Sequence, residues 1–120
     1  MAEKEIIIDG KTVPMKATGA TPVFYRKLFG RDIFHDMMAM NQGIGHDSEG
    51  NAYVKDFDKI DFGTVERLAY TMAYQANHNL PEFIDWLDQF ETSAAIMLAM
   101  DQFIPLYMSG LETASVTKNS

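Results

Sequence analysis

Residues Thr21–Met40 read TPVFYRKLFGRDIFHDMMAM, and the local instructions in this stretch decide what kind of fold the chain adopts. Thr21 can cap a helix with its side-chain oxygen, and Pro22 suits the first helical position, where a missing N–H costs nothing. Phe24 with Leu28 and Tyr25 with Phe29 form two (i, i+4) pairs on adjoining tracks. Arg26 and Lys27 fall near the negative C-terminal end, and Gly30 is placed to take the left-handed stop. A second short helix follows at once, with Ile33, Phe34, Met37, Met38 and Met40 as its apolar surface. Two short helices meeting at a glycine make a wedge with apolar residues on several sides, and such a wedge has to be packed against further elements.

Outward to the N-terminal side, Glu5 to Thr18 reads as a β-hairpin. Ile6, Ile7 and Ile8 are β-branched, Asp9-Gly10 is a tight-turn signal, and Thr12, Val13, Met15 and Ala17 continue the pattern. Pro14 cannot donate to a ladder, so its strand is expected at an edge or with a bulge. On the C-terminal side, Asn41 to Asp58 reads as a long loop in which Tyr53, Val54 and Phe57 supply a short strand. Ile60 to Asn77 is the clearest helix, with Asp61 as N-cap and Val65, Leu68, Ala69, Met72 and Ala76 at helical spacing. Pro81 opens a short amphipathic helix with Phe83, Trp86, Leu87 and Phe90 on one arc and Glu82, Asp85, Asp88 and Gln89 on the other. Ala94 to Ser109 is apolar around most of its circumference and is expected as a central buried helix, kinked at Pro105 and stopped at Gly110. The prediction is an α+β, mainly α fold. An N-terminal β-hairpin packs on a bundle of about five short helices, in one domain over 1–110 with a flexible polar tail over 111–120.

The 120 residues allow one domain that buries roughly two-thirds of its unfolded surface. With no cysteine, there is no disulfide framework, thiol nucleophile or thiolate metal site, which fits a reducing cytoplasm. MAEKEIII lacks the pattern of a signal peptide, and no run approaches the roughly 18 apolar residues of a membrane span. The net charge of −7 argues against nucleic-acid backbone binding. No Lys or Arg occurs between Arg67 and Lys118, whereas Glu82, Asp85, Asp88, Glu91, Asp101 and Glu112 all do. Such acidity reads first as a solvated surface and second as a docking surface for a basic partner.

Little in the chain points to catalysis. His35-Asp36 and His46-Asp47 are adjacent pairs that do not face one another on a helix, and no HExxH-type spacing joins them to His78. Asp47-Ser48-Glu49-Gly50-Asn51 has the composition of a calcium loop, but Ala52 and Asp58 stand where Gly and Glu are required. Asp56, Asp58 and Asp61 read as a charged loop leading into a helix cap. No Walker, GxGxxG or GxSxG motif is present. No catalytic, cofactor or metal site is expected. Nine methionines do stand out, with Met37, Met38 and Met40 on one short helix. Methionine fills irregular cores, and it also serves surfaces that repack around partners.

The order IDGKTVPMKAT followed by ATPVFYRKLFGRDIFHDM resembles the tail assembly chaperones of long-tailed bacteriophages and of prophages in Gram-positive bacteria. The likeness covers about residues 5–40 well, and reaches about residue 110 more loosely through an acidic helical remainder. It implies a non-enzymatic protein in the cytoplasm of an infected or lysogenic host. Such a protein binds and solubilises the tape measure protein, helps recruit tail tube subunits, and exists in a short form and a frameshifted extended form. The family pattern carries over no binding residues one by one. From the residues themselves, Met37, Met38, Phe83 and Trp86 are expected to line a groove for a partner helix, with Asp85 and Asp88 on its rim. Self-association is left open. The alternative is a small acidic regulator of antitoxin or anti-repressor type that masks a basic partner surface.

Overall fold

Asp9 and Gly10 both take positive φ, 54° and 75°, the type I′ geometry whose twist matches that of the strands it joins. They link β1 (Ala2–Ile8) to β2 (Lys11–Ala17). The computed structural model describes residues 2–119, with side chains over 3–51 and 53–109. Pairing runs one-to-one from Ile8↔Lys11 to Ala2↔Ala17, so the hairpin carries no bulge. The pair flanking such a turn exchanges hydrogen bonds, and alternation then puts Glu5↔Pro14 at a non-hydrogen-bonded position. The N–H that Pro14 lacks would have pointed away from β1. Proline is therefore accommodated by edge position alone.

The same alternation sends the N–H and C=O of Ile7 out from the free edge of β1, and one side chain takes both. Ile7 N–H donates to Gln102 Oε1 at 3.0 Å, and Gln102 Nε2 donates to the Ile7 carbonyl at 3.0 Å. Gln102 acts here as a single residue of a third strand, satisfying an edge that would otherwise pair with another chain. Gln102→Ala is expected to cost about 1 kcal/mol and to raise the hydrogen-exchange rate of the Ile7 amide selectively. Unaltered protection of that amide would mean the edge is held by other contacts.

Ile6, Ile8, Val13, Met15 and Ala17 form the buried face of the hairpin. It lies on two helices, α3 (Phe62–Ala76) and α6 (Met100–Asn119). The wedge is made by α1 (Thr21–Phe29) and α2 (Ile33–Asn41). Gly30 stops α1 at φ 67°, its N–H donating to the Arg26 carbonyl at 2.7 Å. Thr21 does not act as the N-cap expected of it. It is buried, and its hydroxyl donates to Gln75 Oε1 at 2.7 Å and accepts from Thr18 N–H at 3.0 Å, tying the start of α1 to the end of α3. Asp32 caps α2 by accepting from Phe34 N–H at 2.8 Å.

The stretch 41–58 is more ordered than its composition implies. It holds a second antiparallel hairpin of β3 (Ile44–His46) and β4 (Ala52–Val54), then a 3-10 turn at Phe57–Lys59. Asp47 closes the hairpin, its carboxylate accepting from Glu49 and Asn51 N–H groups at 2.9 Å each. Gly45 pairs with Tyr53 across it, and a Cβ at Gly45 would lie 2.6 Å from the Tyr53 ring. Phe57 belongs to the 3-10 turn and not to a strand.

Asp61 caps α3 as expected, accepting from Gly63 N–H at 2.9 Å. The centrally buried helix is α3, with Leu68 through Ala73 all buried, in place of the last helix. Thr71 looks too polar for this role, but its hydroxyl donates to the Arg67 carbonyl one turn back at 2.7 Å and needs no water. Beyond α3 come α4 (Phe83–Asp88), α5 (Ala95–Leu98) and α6. The single last helix expected from Ala94 is thus two. The break falls at Ala99 and not at Pro105, which lies inside α6, and the backbone stays helical past Gly110 over most of the stretch read as a tail. Ala95, Ile96, Ala99, Phe103, Leu106 and Tyr107 are buried, so one apolar stripe crosses the break, while Met97, Leu98 and Met108 face out. The architecture is α+β and mainly helical, a hairpin laid on a helical bundle with a second small hairpin at one side. Among the described residues no helix is long and apolar enough to cross a membrane.

Candidate functional site

The six residues expected to form a partner groove do not come together. Trp86 is only 1% exposed, and its ring meets Tyr70 at 5.4 Å and Phe90 at 5.3 Å, both edge-on. It is a core side chain, because the inner arc of a one-and-a-half-turn helix has nowhere else to go. Phe83 is half-buried among Phe29 at 5.0 Å and Tyr70 at 5.4 Å. None of the aromatic partners of Phe83 or Trp86 lies on α2. The methionines of α2 divide: Met40 is buried, Met37 half-buried against the core, and Met38 72% exposed. Asp85 and Asp88 are both exposed on α4.

What α2 does carry inward is a charge. Asp36, 4% exposed, accepts from Arg31 through both oxygens, Nε to Oδ2 at 2.8 Å and Nη2 to Oδ1 at 2.9 Å, and from Tyr25 Oη at 2.6 Å. Arg67 of α3 donates through Nε to Tyr25 Oη at 3.0 Å and lies 3.6 Å from Asp36 Oδ2. Arg67 also reaches Asp61 at 3.3 Å and Thr64 at 3.1 Å. The bidentate guanidinium of Arg31 and the Tyr25 hydroxyl hold the Asp36 carboxyl down at about 2 against the desolvation that opposes them. Burial and then the Asp36 hydrogen bond push Tyr25 up to about 12. No buried side-chain polar atom among the described residues lacks a partner, so the cluster is a clamp joining α1, α2 and α3. The sequence offered no cue to it, since Arg31 and Asp36 are five apart and Tyr25 and Arg67 belong to other elements.

The feature that remains open is a groove between the start of α3, α4 and α5. It consists of two adjoining hollows of about 170 and 340 Å³ that share Glu66, Ser93 and Ile96. Phe62, Val65, Ala94 and Met97 complete the smaller, and Ile84, Leu87, Asp88 and Phe90 are among the walls of the larger. Ile84 at 76% exposure and Leu98 at 74% are the most exposed large apolar side chains among the described residues. Ile84 and Met97 line the groove, and Leu98 follows Met97 on the same short helix. Neither Glu66 nor Asp88 has an ion-pair partner among the described residues. Lys11 does approach, but its ammonium donates to the Gln89 carbonyl at 2.7 Å and sits over the Phe90 ring at 5.7 Å.

Of the six residues expected from sequence to form a partner groove, Asp88 alone lines this one. Ile84 carried a legible signal: it falls on the acidic arc of α4, one turn before Asp88, where an amphipathic helix has no internal use for isoleucine. Met97 was invisible because the last helix read as apolar around most of its circumference. The histidines are dispersed. His35 and His46 are exposed, and His78 stacks on Tyr74 at 4.9 Å. Among the described residues no three His, Asp or Glu side chains gather as a metal site would require. No family model matches the chain, and no curated protein or solved structure matches it either.

Proposed function

We propose that this chain is a non-enzymatic binding protein of the tail-assembly-chaperone kind. It would hold the tape measure protein in soluble form, help recruit tail tube subunits around it, and act in the cytoplasm of the bacterial host. The observation that supports this reading is the α3–α4–α5 groove, where exposed Ile84 and Met97 stand beside Glu66 and Asp88, carboxylates with no ion-pair partner among the described residues. Isolated surface leucines need no explanation, but a concave apolar site rimmed by unpaired charge is the usual form of a docking site. The resemblance of residues 5–40 supplies the identity of the partner.

Co-expression with a tape measure fragment tests the reading. Ile84→Asp with Met97→Asp should abolish co-purification and leave the fold intact, because exposed positions contribute within about 0.5 kcal/mol of stability. Met38→Asp, on the exposed side of α2, should leave co-purification unchanged. Retention of the fragment by the double variant would remove the groove from the interaction. The competing reading, an acidic regulator masking a basic surface, draws on exposed Glu82, Asp85, Asp88 and Glu91. It requires binding that collapses between low and physiological salt and ignores the apolar substitutions.

A further inference from the structure

We infer that the occupant of the α3–α4–α5 groove is an amphipathic helix of a partner protein that carries lysine or arginine beside its apolar anchors. The inference rests on the reading of the groove as the binding site, and it specifies the chemistry of what enters.

Three observations carry it. The first is the lining. The groove is bounded by side chains of α3, α4 and α5 and of the Thr92–Ser93 link, and among the described residues no strand residue lines it. An extended segment would find no ladder there for its backbone N–H and C=O groups, whereas a helix satisfies its own. The second is the division into two adjoining apolar hollows around Ile96, which provides for successive anchors of one segment in place of a single bulky group. The third is charge. Glu66 lines both hollows and Asp88 the larger, while the Arg67 guanidinium is engaged by Asp61, Thr64 and Tyr25 and the Lys11 ammonium by the Gln89 carbonyl. From residue 68 to residue 117 the chain has no Lys or Arg at all. An acidic or neutral helix would bury these carboxylates unpaired, and a second copy of this acidic segment would add like charge.

Three synthetic peptides of about 18 residues, or five helical turns, test this against the intact protein. One has leucines at helical spacing flanked by lysines, one has glutamates in place of the lysines, and one scrambles the first at constant composition. Calorimetry and amide chemical shifts are the readouts. The lysine peptide should bind, with shifts at Phe62–Glu66, Ile84–Phe90 and Ser93–Met97. The scrambled peptide should be at least about tenfold weaker, and the glutamate peptide should not bind. In the Glu66→Lys, Asp88→Lys double variant the preference should invert in favour of the glutamate peptide. Because Glu66 is half-buried, Asp88→Lys alone serves as the folded control and should weaken the lysine peptide.

Equal binding of the scrambled or acidic peptide, or shifts away from the groove, would overturn the inference. So would concentration-dependent shifts of the groove residues in protein alone, which would give the site to a second copy. Peptide binding as expected alongside failure to hold the tape measure fragment would refute the chaperone reading and leave the inference standing. Retention of that fragment by the charge-reversed variant would do the opposite.

Discussion

Trp86→Ala should lower the unfolding free energy by about 3–5 kcal/mol, which is the scale for truncating a fully buried large aromatic. The indole is closed in by Tyr70 and Phe90, and α4 has only six residues with which to hold itself to the bundle. Losing the ring removes the anchor and leaves a cavity that such a short helix cannot collapse to fill. In a domain whose total stability is on the order of 5–15 kcal/mol, the melting temperature should fall by roughly 10–25 °C. Thermal unfolding followed by circular dichroism reads this directly, with Ile84→Ala as the exposed comparison that should hardly move. A variant as stable as the parent would remove Trp86 from the core. The consequence for function is practical: lost partner binding in a Trp86 variant would report a loosened α4, and only the exposed positions Ile84, Met97 and Asp88 probe the groove itself.

Asp36→Ala should cost about 3 kcal/mol or more, because it leaves the Arg67 guanidinium and the Tyr25 hydroxyl without the group they converge on. Its pH signature is specific. The Asp36 carboxyl falls from the usual 3.8 to about 2 in the folded protein, so the unfolded chain binds this proton more readily. The contribution is therefore fully present above pH ~4 and disappears as pH falls toward ~2, amounting to about 2 kcal/mol. Tyr25 moves the other way, from 10.0 up to about 12. Its contribution is present below pH ~10 and is lost as pH rises through ~12. Chemical denaturation from neutral to acid pH should show the stability loss in the parent and a flatter profile in Asp36→Asn. Parallel profiles would mean that Asp36 is equally comfortable folded and unfolded.

The wedge of α1 and α2 is fixed by a buried ion cluster, and α4 is fixed by aromatic packing, so the groove between α3, α4 and α5 has one short wall. α5 is shorter still, with four residues between Ala94 and Ala99. A site bounded by two short helices can adjust its width at little cost, which suits a surface that admits several similar helical segments.

Local chemistry determined the elements. Asp9-Gly10 dictated a type I′ turn, Gly30 a left-handed stop and Asp61 a helix cap, because each depends on a few neighbouring atoms that the sequence places within reach. The same holds for the inner arc of α4, where spacing alone assigned Phe83, Trp86, Leu87 and Phe90 to one side. Tertiary structure decided which of two apolar helices occupies the centre. It chose α3 because Thr71 can satisfy its hydroxyl within the helix and because Ala69 and Ala73 let neighbours approach. It also decided that Asp36, an ordinary acid beside a histidine in the sequence, is the buried pivot of a clamp contributed by three separate helices. Spacing put Trp86 and Ile84 on opposite arcs of α4, but burial is a property of the assembled chain, and only packing against Tyr70 and Phe90 closed Trp86 off from any partner. For that reason the surface proposed for docking is the groove beside α4 and not the methionines of α2.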